Sequence, residues 1–357
     1  MAKAKLALGL DIGSSAVKMI QLKEVKRRGA TVFQLQSFGT KPLPPEAIVD
    51  GALMNSTAIV QAIQELIAEL RIKHKEVAIG VSGHSVIIKK ISLPRMSQEE
   101  LDESIQWEAE QYIPFDVKDV NIDTFPLESG NDQAGQMDVL LVAAKKDMIN
   151  DYTSVVAEAG LQPVVVDVDA FAVQNCFESN YDLPNGETVV LINAGASVVN
   201  INIIANGVTT FTRDVTIGGN QFTEEIQKQL NVSYDEAEAL KIGGNRADAD
   251  SVVPQEVERV LGSVAEQTAG EIQRSLDFYA STAADSHIAK VFLSGGTAKI
   301  PALFKTIEQR VGVPVEILNP FKNIEIDNRK FDPAYIMEMA PMAAVAVGLG
   351  LRRPGDK

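Results

Sequence analysis

The first residues that could do chemistry lie near the start of the chain, in the segment LALGLDIGSSAVKMIQL. Apolar residues precede and follow a small polar turn, which predicts a β-hairpin. Gly13 allows backbone N–H groups to approach an anion closely, and Ser14 and Ser15 add hydroxyl donors. Asp11 could orient a metal ion through its water ligands, and Lys18 could contact a phosphate as a point charge. The hairpin is therefore a candidate nucleotide-phosphate site, and a surface hairpin with a glycine turn is the simpler alternative.

A second segment with the same spacing, LINAGASVVNINII, occurs in the second half of the chain. Asn193, Gly195 and Ser197 stand where the first hairpin has its aspartate, glycine and second serine, and Asn200 stands where it has its lysine. Two strand–turn–strand units of the same design predict two similar halves that face one cleft, with a polyphosphate between them. Chance similarity between two common hairpins is the alternative.

A third glycine-bearing segment, VFLSGGTAKIPAL, supports the two-hairpin cleft. It predicts an apolar strand, then Gly295 and Gly296, then a helix that begins near Pro301. A strand that ends in two glycines and leads into a helix brings the backbone close to a flat or anionic ligand. The sequence contains neither a G-x-x-x-x-G-K-[ST] P-loop nor a G-x-G-x-x-G dinucleotide turn.

Together, the three segments resemble the two phosphate hairpins and the adenosine segment of the actin-like ATPase superfamily. The resemblance implies an α/β, actin-like (ribonuclease H-like) fold with two lobes around a cleft for ATP and Mg²⁺, in which Asp11 orients the magnesium through water. Gly218 and Gly219 in IGGNQFT, followed by AEALK, resemble the nucleotide-side helices of bacterial members. There, Glu238 and Lys241 would approach the ribose and base, and an exposed ion pair at i,i+3 is the alternative.

The segments IQWEAEQYIPFD, VNIDTF and EIQRSLDFY narrow the resemblance to the PilM family of type IV pilus assembly proteins, which is related to FtsA. This resemblance implies a cytoplasmic protein with a role in pilus biogenesis and twitching motility. It implies contact with the inner membrane only through protein partners: the N-terminal cytoplasmic tail of PilN, other pilus platform proteins and assembly ATPases. The resemblance also leaves open that the protein forms a homo-oligomer.

PilM-like proteins bind the PilN tail between the first lobe and an inserted subdomain. Trp107, Tyr112 and Phe115 lie along or just after the first predicted helix of that subdomain, so they are candidate partner-binding residues. The alternative is that they seal this helix onto its sheet.

Asn193 departs from the superfamily pattern, which usually has aspartate at this position. An amide supplies no charge to a magnesium-bound water, so we expect ATP binding with slow or absent hydrolysis, and the sequence assigns no catalytic residue. A small-molecule kinase of the same fold and an FtsA-like filament scaffold are the alternatives. The kinase would need a catalytic aspartate in the cleft of the first lobe, and the sequence offers none in a convincing setting.

The composition argues against several classes of function. The chain has 357 residues, 45% of them hydrophobic, which is enough for two domains or one bilobed unit. A net charge of −15 disfavours nucleic-acid binding and direct adhesion to anionic lipid. The single cysteine, Cys176, rules out a disulfide framework within the chain and favours a reducing compartment. The apolar run PMAAVAVGLGL is too short to span a bilayer and predicts a buried terminal helix.

The order of predicted elements suggests an inserted subdomain with the order β-α-β-β-α, whose first helix opens with a capping box at Ser97 and Glu100. Asp169 is expected to cap the helix that follows a buried strand, although Asp167 and Asp169 could instead bind a metal. The predicted units are a first lobe (1–85), an inserted subdomain (86–160), the first lobe continued (161–187), a second lobe (188–340) and a C-terminal helix that returns to the first lobe (341–357).

Overall fold

The computed structural model describes residues 5–27, 29–127, 135–182, 186–243, 255–283 and 287–356. Most of the polar loop predicted from Ser129 to Gln136, and Asn185 of a predicted Asn-Gly turn, lie outside these residues.

Strands form at the three segments that carry the candidate site and in the predicted subdomain. In chain order they are β1 (Leu8–Ile12), β2 (Ala16–Arg27), β3 (Ala30–Pro42), β4 (Ile48–Val49), β5 (Ala52–Leu53), β6 (Glu76–Val81), β7 (Val86–Pro94), β8 (Val120–Leu127), β9 (Gln136–Lys145), β10 (Gln162–Val168), β11 (Thr188–Ala194), β12 (Val199–Ala205), β13 (Val208–Val215), β14 (Ile288–Ser294), β15 (Val315–Ile317) and β16 (Ile324–Glu325).

The helices alternate with these strands, as expected of an α/β chain. They are α1 (Ser56–Glu69), α2 (Gln98–Ala109), α3 (Lys146–Glu158), α4 (Asp169–Asn180), α5 (Gly219–Leu230), α6 (Tyr234–Lys241), α7 (Gln255–Thr282), α8 (Pro301–Val311), α9 (Pro333–Met339) and α10 (Ala344–Gly350). Short 3₁₀ helices cover Val117–Asp119, Gly296–Lys299 and Ala340–Met342. Pro301 begins α8, as predicted from the position of a proline at a helix start.

Two large sheets repeat one arrangement. A six-stranded sheet has the order β10-β6-β1-β2-β3-β16, and a five-stranded sheet has the order β13-β12-β11-β14-β15. In the first, β1 is antiparallel to β2 and parallel to β6, whereas in the second, β11 is antiparallel to β12 and parallel to β14. Each candidate phosphate hairpin therefore lies in its own sheet beside a parallel strand. We call the parts built on these two sheets the first and second lobes.

Helices α4 and α10 occupy the core between the two sheets. Both contribute buried residues to one hydrophobic cluster, which also holds Ala78 of the first sheet and Leu191 and Phe292 of the second. The helices approach so closely that a Cβ atom on Gly348 would lie 1.7 Å from the carbonyl oxygen of Ala172. This packing requires glycine at that point of contact.

The apolar C-terminal run forms a buried helix, as predicted. Every residue of α10 is buried, and the helix packs on β1, β2 and β6 as well as on α4. Among the described residues, no single helix has the length and apolar character needed to cross a membrane. One pair of helical segments, Pro333–Met342 and Ala344–Gly350, is long and apolar enough when taken together, but it is bent by 91°.

The predicted β-α-β-β-α order between the two halves of the first lobe is confirmed. Strands β7, β9 and β8 form a three-stranded sheet, and α2 buries Leu101, Ile105 and Ala109 against it. The predicted capping box is present, since the Ser97 hydroxyl accepts from the backbone N–H of Glu100 while the Glu100 carboxylate accepts from that of Ser97. Helix α3 belongs to a different core, because its buried side chains pack in the first-lobe cluster. The unit boundaries stay a prediction.

Candidate functional site

The first hairpin holds an ion pair. Asp11 on β1 lies directly across from Lys18 on β2, and Lys18 Nζ lies 2.9 Å from Asp11 Oδ2. Both side chains are close to nine-tenths buried, with 11% and 13% of their surface exposed. The turn is closed by a hydrogen bond from the Gly13 backbone N–H to the carbonyl oxygen of Ala16, 3.2 Å. A cation and a carboxylate are thus fixed at the mouth of a tight turn.

The second hairpin holds a neutral pair at the same place. Asn193 on β11 lies across from Asn200 on β12, and Asn193 Nδ2 donates to Asn200 Oδ1 over 2.9 Å. Asn200 Nδ2 in turn donates to Asp214 Oδ1 on β13, 2.8 Å away. The sequence comparison of the two hairpins had aligned Asn200 with the lysine of the first, but it gave no reason to include Asp214, which lies on the next strand.

The two hairpins face one cavity of about 940 Å³ between the lobes. This volume lies near the upper end of the usual range for small-molecule sites, about 300–1,000 Å³. Residues from both hairpins, from the glycine pair after β14 and from α6 line it. Among the predicted cofactor-binding residues, those that line the cavity are Asp11, Gly13, Ser14, Ser15, Lys18, Asn193, Gly195, Ser197, Gly219, Glu238, Lys241, Gly295 and Gly296.

Gly218, the remaining predicted residue, lies behind the second hairpin. A Cβ atom on it would come within 2.4 Å of the Ala196 carbonyl oxygen and 2.7 Å of the Ser197 nitrogen. Gly218 therefore lets the start of α5 pack directly against the turn of the second hairpin. Its role is to support the cavity wall.

Gly295 is required by both its conformation and its surroundings. Its φ angle of 90° is in a region that side chains with a Cβ rarely adopt, and a Cβ there would lie 2.1 Å from the Ala194 carbonyl oxygen. Two residues on, the Thr297 hydroxyl donates to the Gly195 carbonyl oxygen over 2.7 Å. The segment that contains Gly295 and the turn of the second hairpin are thus held against each other.

Glu238 and Lys241 form an ion pair that lines the cavity, with the Lys241 side chain mostly buried rather than exposed; their proximity to a ribose and base stays a prediction. Lys241 Nζ lies 2.6 Å from Glu238 Oε2, and it also donates to the Gly219 carbonyl oxygen over 3.2 Å. Thr223 Oγ1 donates to Glu238 Oε2 over 2.6 Å. These bonds fasten α6 to the start of α5 and hold both charged groups at one end of the cavity.

Asp169 is a cleft residue, and its prediction as a helix cap was wrong. Helix α4 begins at Asp169 itself, its N-cap is Val168, and no side chain caps it. The Asp169 carboxylate lines the cavity and takes a hydrogen bond from the Ser82 hydroxyl. A Cβ atom on Gly80 would lie 2.2 Å from Asp169 Oδ1, so the glycine makes room for this carboxylate.

The environment of Asp169 disfavours its charge. Burial, and next the negative charge of Asp11, raise the pKa of Asp169 to about 7, while the Ser82 hydrogen bond and Lys18 oppose the shift. Burial, Asp169 and Asp11 also raise the pKa of the Tyr152 hydroxyl, which lines the same cavity. The first-lobe wall therefore carries two carboxylates, Asp11 and Asp169, whose negative charges are only partly offset by Lys18. A bound cation would offset them further.

The donor set fits a magnesium ion that is held mainly by water and phosphate. Within the described ranges, no group of three or more His, Cys, Asp or Glu side chains could hold a metal. Mg²⁺ in nucleotide sites usually keeps several waters and uses one or two carboxylates plus phosphate oxygens, which Asp11 and Asp169 could serve. Asp167 does not belong to this site, because it is buried beside Arg352, with Arg352 Nε 3.3 Å from Asp167 Oδ2.

The three candidate partner-binding residues have different environments. Trp107, on α2, is 75% exposed and contributes nothing to the core of the small sheet. Tyr112 and Phe115 are partly buried against that core, and Lys145 Nζ lies 4.6 Å from the centroid of the Phe115 ring. Sealing the helix onto its sheet therefore describes Tyr112 and Phe115, whereas Trp107 is available to a partner.

Comparison with known proteins places this geometry in a family context. A family model described as type IV pilus assembly protein PilM matches residues 9–354. A solved PilM-PilN type IV pilus biogenesis complex contains a chain with 28% identity, and the match covers 98% of this chain and 99% of that one with a TM-score of 0.86.

More distant relatives agree on the architecture. The cell division protein FtsA of Enterococcus hirae is 24% identical over 364 residues, which covers 90% of this chain and 79% of FtsA. The ethanolamine utilization protein EutJ of Carboxydothermus hydrogenoformans is 15% identical with a TM-score of 0.55, covering 98% of this chain and 90% of EutJ. The predicted actin-like α/β fold with a small inserted subdomain is confirmed by these similarities and by the sheets described above.

Proposed function

The chain belongs to the PilM family of type IV pilus assembly proteins, and from this premise we propose that it is an ATP-binding component of the pilus assembly platform that binds the N-terminal cytoplasmic tail of PilN. In this proposal the protein is cytoplasmic and reaches the inner membrane through that partner. Other platform proteins and assembly ATPases would contact it in the assembled machine.

The observation that carries nucleotide binding is the pair of hairpins on opposite walls of one cavity. Each hairpin places a polar cross-strand pair beside a tight glycine turn, Asp11 with Lys18 on one side and Asn193 with Asn200 on the other. A linear polyphosphate has several anionic groups, so it suits a cavity with a polar turn on each of two walls. Backbone N–H groups of such turns and a lysine suit its charge.

The remaining contacts are proposed from the resemblance, and they are supported by residues that line the cavity. Ser14, Ser15 and Lys18 would hold the phosphates, and Asp11 would orient magnesium through its water ligands. Gly195, Ser197 and Asn193 would close the far side. Gly295 and Gly296 would let the adenosine lie against backbone, with Glu238 and Lys241 at the ribose. Magnesium supplies positive charge that offsets the phosphates and the two first-lobe carboxylates.

Slow or absent hydrolysis follows from the neutral second hairpin. Asn193 already donates to Asn200, and neither amide can take a proton from a water or orient a magnesium-bound water by charge. Asp169 is a further carboxylate at the cleft, with its pKa raised to about 7 by burial and then by the charge of Asp11, but it lies on the first-lobe wall and does not replace the charge that the second hairpin lacks. The nucleotide would thus act mainly as a ligand that favours one arrangement of the lobes and so biases partner binding.

Partner binding is proposed at the inserted subdomain, beside α2. The solved relative is a chain of a PilM-PilN complex, and it is similar to this chain over nearly the full length. Trp107 supports the location, because a large exposed aromatic side chain on a helix is a typical interface anchor.

The test is isothermal titration of the full-length protein with a synthetic peptide of the N-terminal cytoplasmic residues of PilN from the same organism, with and without ATP–magnesium. Tight binding that changes with nucleotide supports an adaptor whose cleft communicates with its partner site. Tight binding that is indifferent to nucleotide leaves ATP as a structural cofactor. Absence of peptide binding in both conditions overturns the pilus-platform proposal, and direct titration with ATP–magnesium tests the nucleotide site separately.

A further inference from the structure

Asp214 joins the two lobes across the cleft. It lies near the end of β13, in the second lobe, and its side chain is mostly buried. Its Oδ1 accepts from Asn200 Nδ2 over 2.8 Å, and its Oδ2 accepts from the backbone N–H of Gly83 over 2.6 Å. Gly83 belongs to the first-lobe side, in the short loop between β6 and β7.

The carboxylate also fixes the orientation of the two asparagines. An ionised carboxylate can only accept hydrogen bonds, so Asn200 must turn its NH₂ group toward Asp214 and its carbonyl oxygen toward Asn193. Asn193 must then donate with its own NH₂ group, which leaves Asn193 Oδ1 to accept. The Ser294 hydroxyl lies 3.4 Å from this oxygen and 3.3 Å from the Ile192 carbonyl oxygen, and its single proton serves one of the two at a time. All donors in this chain of bonds point toward Asp214, and aligned hydrogen bonds strengthen one another.

In the first lobe, this series of hydrogen bonds ends at Gly83, just before the first strand of the inserted subdomain. Gly83 has a φ angle of 91°, and its carbonyl oxygen accepts from the N–H of Val86, the first residue of β7, over 3.0 Å. The Ser85 carbonyl oxygen accepts from the N–H of Lys145 at the end of β9, 3.1 Å away. The Gly83 loop therefore sets where two strands of the three-stranded sheet begin and end, and β13 also packs against β7.

We propose that Asp214 is a positioning residue that couples the second phosphate hairpin to the inserted subdomain, through the connected hydrogen bonds Asn193–Asn200–Asp214–Gly83. The coupling rests on the proposed function, because it requires a nucleotide in the cavity. Asp214 itself does not line that cavity. It acts by holding the Asn193 amide in one orientation and the Gly83 loop in one place.

A ligand at Asn193 changes this chain of bonds whichever atom it contacts. A water that donated to Asn193 Oδ1 would extend the aligned donors and strengthen the bonds that end on Asp214. A phosphate oxygen that accepts from Asn193 Nδ2 competes with Asn200 and weakens them. A stronger or a weaker hydrogen bond between Asp214 and Gly83 would therefore show which Asn193 atom the ligand contacts. Either change is a coupling between the cleft and β7.

A second contact between the lobes provides the matched control. Gln174 on α4 accepts from Asn202 Nδ2 over 3.1 Å and from Thr209 Oγ1 over 2.6 Å, both in the second lobe. This cluster holds the lobes together through the far part of β12 and through β13, without any bond to Asn193, Asn200 or the turn of the second hairpin. Gln174→Ala removes an inter-lobe tie of similar size and leaves the bonds of Asp214 intact.

The experiment is amide hydrogen exchange on the full-length protein, followed over residues 82–94 with and without ATP–magnesium, together with calorimetric ATP affinity. In the wild type we expect ATP–magnesium to change exchange in this segment by about fivefold or more, the lower end of typical site-to-site coupling. Asp214→Asn should abolish that nucleotide-dependent change while ATP still binds, because an amide cannot accept two donors in the same geometry. Gln174→Ala should keep it.

Asn200→Ala gives a second and sharper test. It cuts the connection to the hairpin but leaves the bond between Asp214 and Gly83, so exchange of residues 82–94 without nucleotide should match the wild type while the response to ATP–magnesium is lost. A purely structural role for these residues would change both or neither.

The outcomes separate the two proposals. If ATP binds and both variants keep the full nucleotide response, the coupling through Asp214 is overturned and the proposed function stands. If the wild type fails to bind ATP, the coupling and the nucleotide-binding part of the proposed function are overturned, while PilN binding is still tested by the peptide titration. If Gln174→Ala abolishes the response as well, the coupling is carried by lobe contact in general, and the specific role of Asp214 is rejected.

Discussion

Asp11 and Lys18 form an ion pair directly across the first hairpin, with 2.9 Å between Nζ and Oδ2. The same cross-strand position of the second hairpin is occupied by two asparagines. The two walls of the cavity are thus alike in backbone and different in charge. If a polyanion binds here as proposed, we expect Lys18 to supply the positive charge at the first turn, whereas the asparagine pair of the second hairpin would supply hydrogen bonds only.

Lys18→Ala should weaken ATP binding at least about tenfold, since a hydrogen bond to a charged group contributes about 1.5–3 kcal/mol. The substitution also leaves Asp11 without its cation beside the phosphates. Asp11→Ala should weaken the magnesium dependence of binding more than binding of ATP alone. Both effects are measured by titration calorimetry with ATP, in the presence of magnesium and of a chelator.

Lys23→Ala is the control for this pair, because Lys23 is an exposed lysine on the same strand, β2. It should bind ATP as the wild type does. Unchanged affinity in Lys18→Ala and Asp11→Ala would remove the first hairpin from the nucleotide site.

Gly295→Ala should lower the free energy of unfolding by about 2 kcal/mol or more, because it combines a strained φ with a backbone clash at Ala194. It should also weaken nucleotide binding, since the clash would push the segment that contains Gly295 away from the second hairpin. Gly296→Ala is the matched comparison. Its Cβ would meet only Met342, with 3.4 Å to Sδ, so its stability should change by less than about 1 kcal/mol. Urea unfolding of both variants checks this, and equal losses would contradict the assigned role of Gly295.

The local patterns of the sequence were sufficient to place the hairpins and the glycine pair, and all but one of the predicted cofactor-binding residues line the cavity. A glycine turn between apolar strands depends on neighbouring residues only, and the second copy supplied the expectation that both turns face one cleft. The same holds for the capping box at Ser97, which is a contact between residues three apart.

The residues that sequence reasoning missed depend on contacts between distant segments. Asp169 was assigned to a helix cap because aspartate before a helix usually has that role, but Gly80 of a neighbouring strand makes room for its carboxylate in the cleft. Asp214 has no local motif, and its partner Gly83 lies 131 positions away. The sequence contained one indication of Asp214. Asn200 stands where the first hairpin has its lysine, and a buried asparagine pair requires a further hydrogen-bond partner.

The pH dependence of stability should carry a contribution from Asp169. Its pKa in the folded protein, about 7, lies above its ordinary value of 3.8, so its contribution to stability is fully present below the unfolded pKa and is lost as the pH rises toward 7 and beyond. Asp169→Asn should therefore stabilise the nucleotide-free protein at pH 8 relative to the wild type. The gain should be about 2 kcal/mol, less than about 1.4 kcal/mol per pKa unit would give, because solvent in the open cleft screens part of the charge.

Urea unfolding at pH 4.5 and pH 8, without nucleotide or magnesium, measures this difference. Asp277→Asn, at an exposed position on α7, is the control and should follow the wild type at both pH values. A stability difference between Asp169→Asn and the wild type that does not grow with pH would show that Asp169 is already compensated in the folded protein.

Trp107 and Phe115 lie close in sequence but should respond oppositely to alanine substitution. Trp107→Ala should leave the melting temperature unchanged, because the side chain is 75% exposed, and should weaken binding of the PilN peptide by about tenfold or more, as expected of an aromatic anchor. Phe115→Ala should lower the free energy of unfolding by about 1–2 kcal/mol, because it removes a ring that packs on the small core and lies under Lys145. Peptide titration and urea unfolding of both variants test this separation. Wild-type peptide affinity in Trp107→Ala, with weakened affinity in Phe115→Ala, would move the partner site from the exposed face of α2 to the turn that follows it.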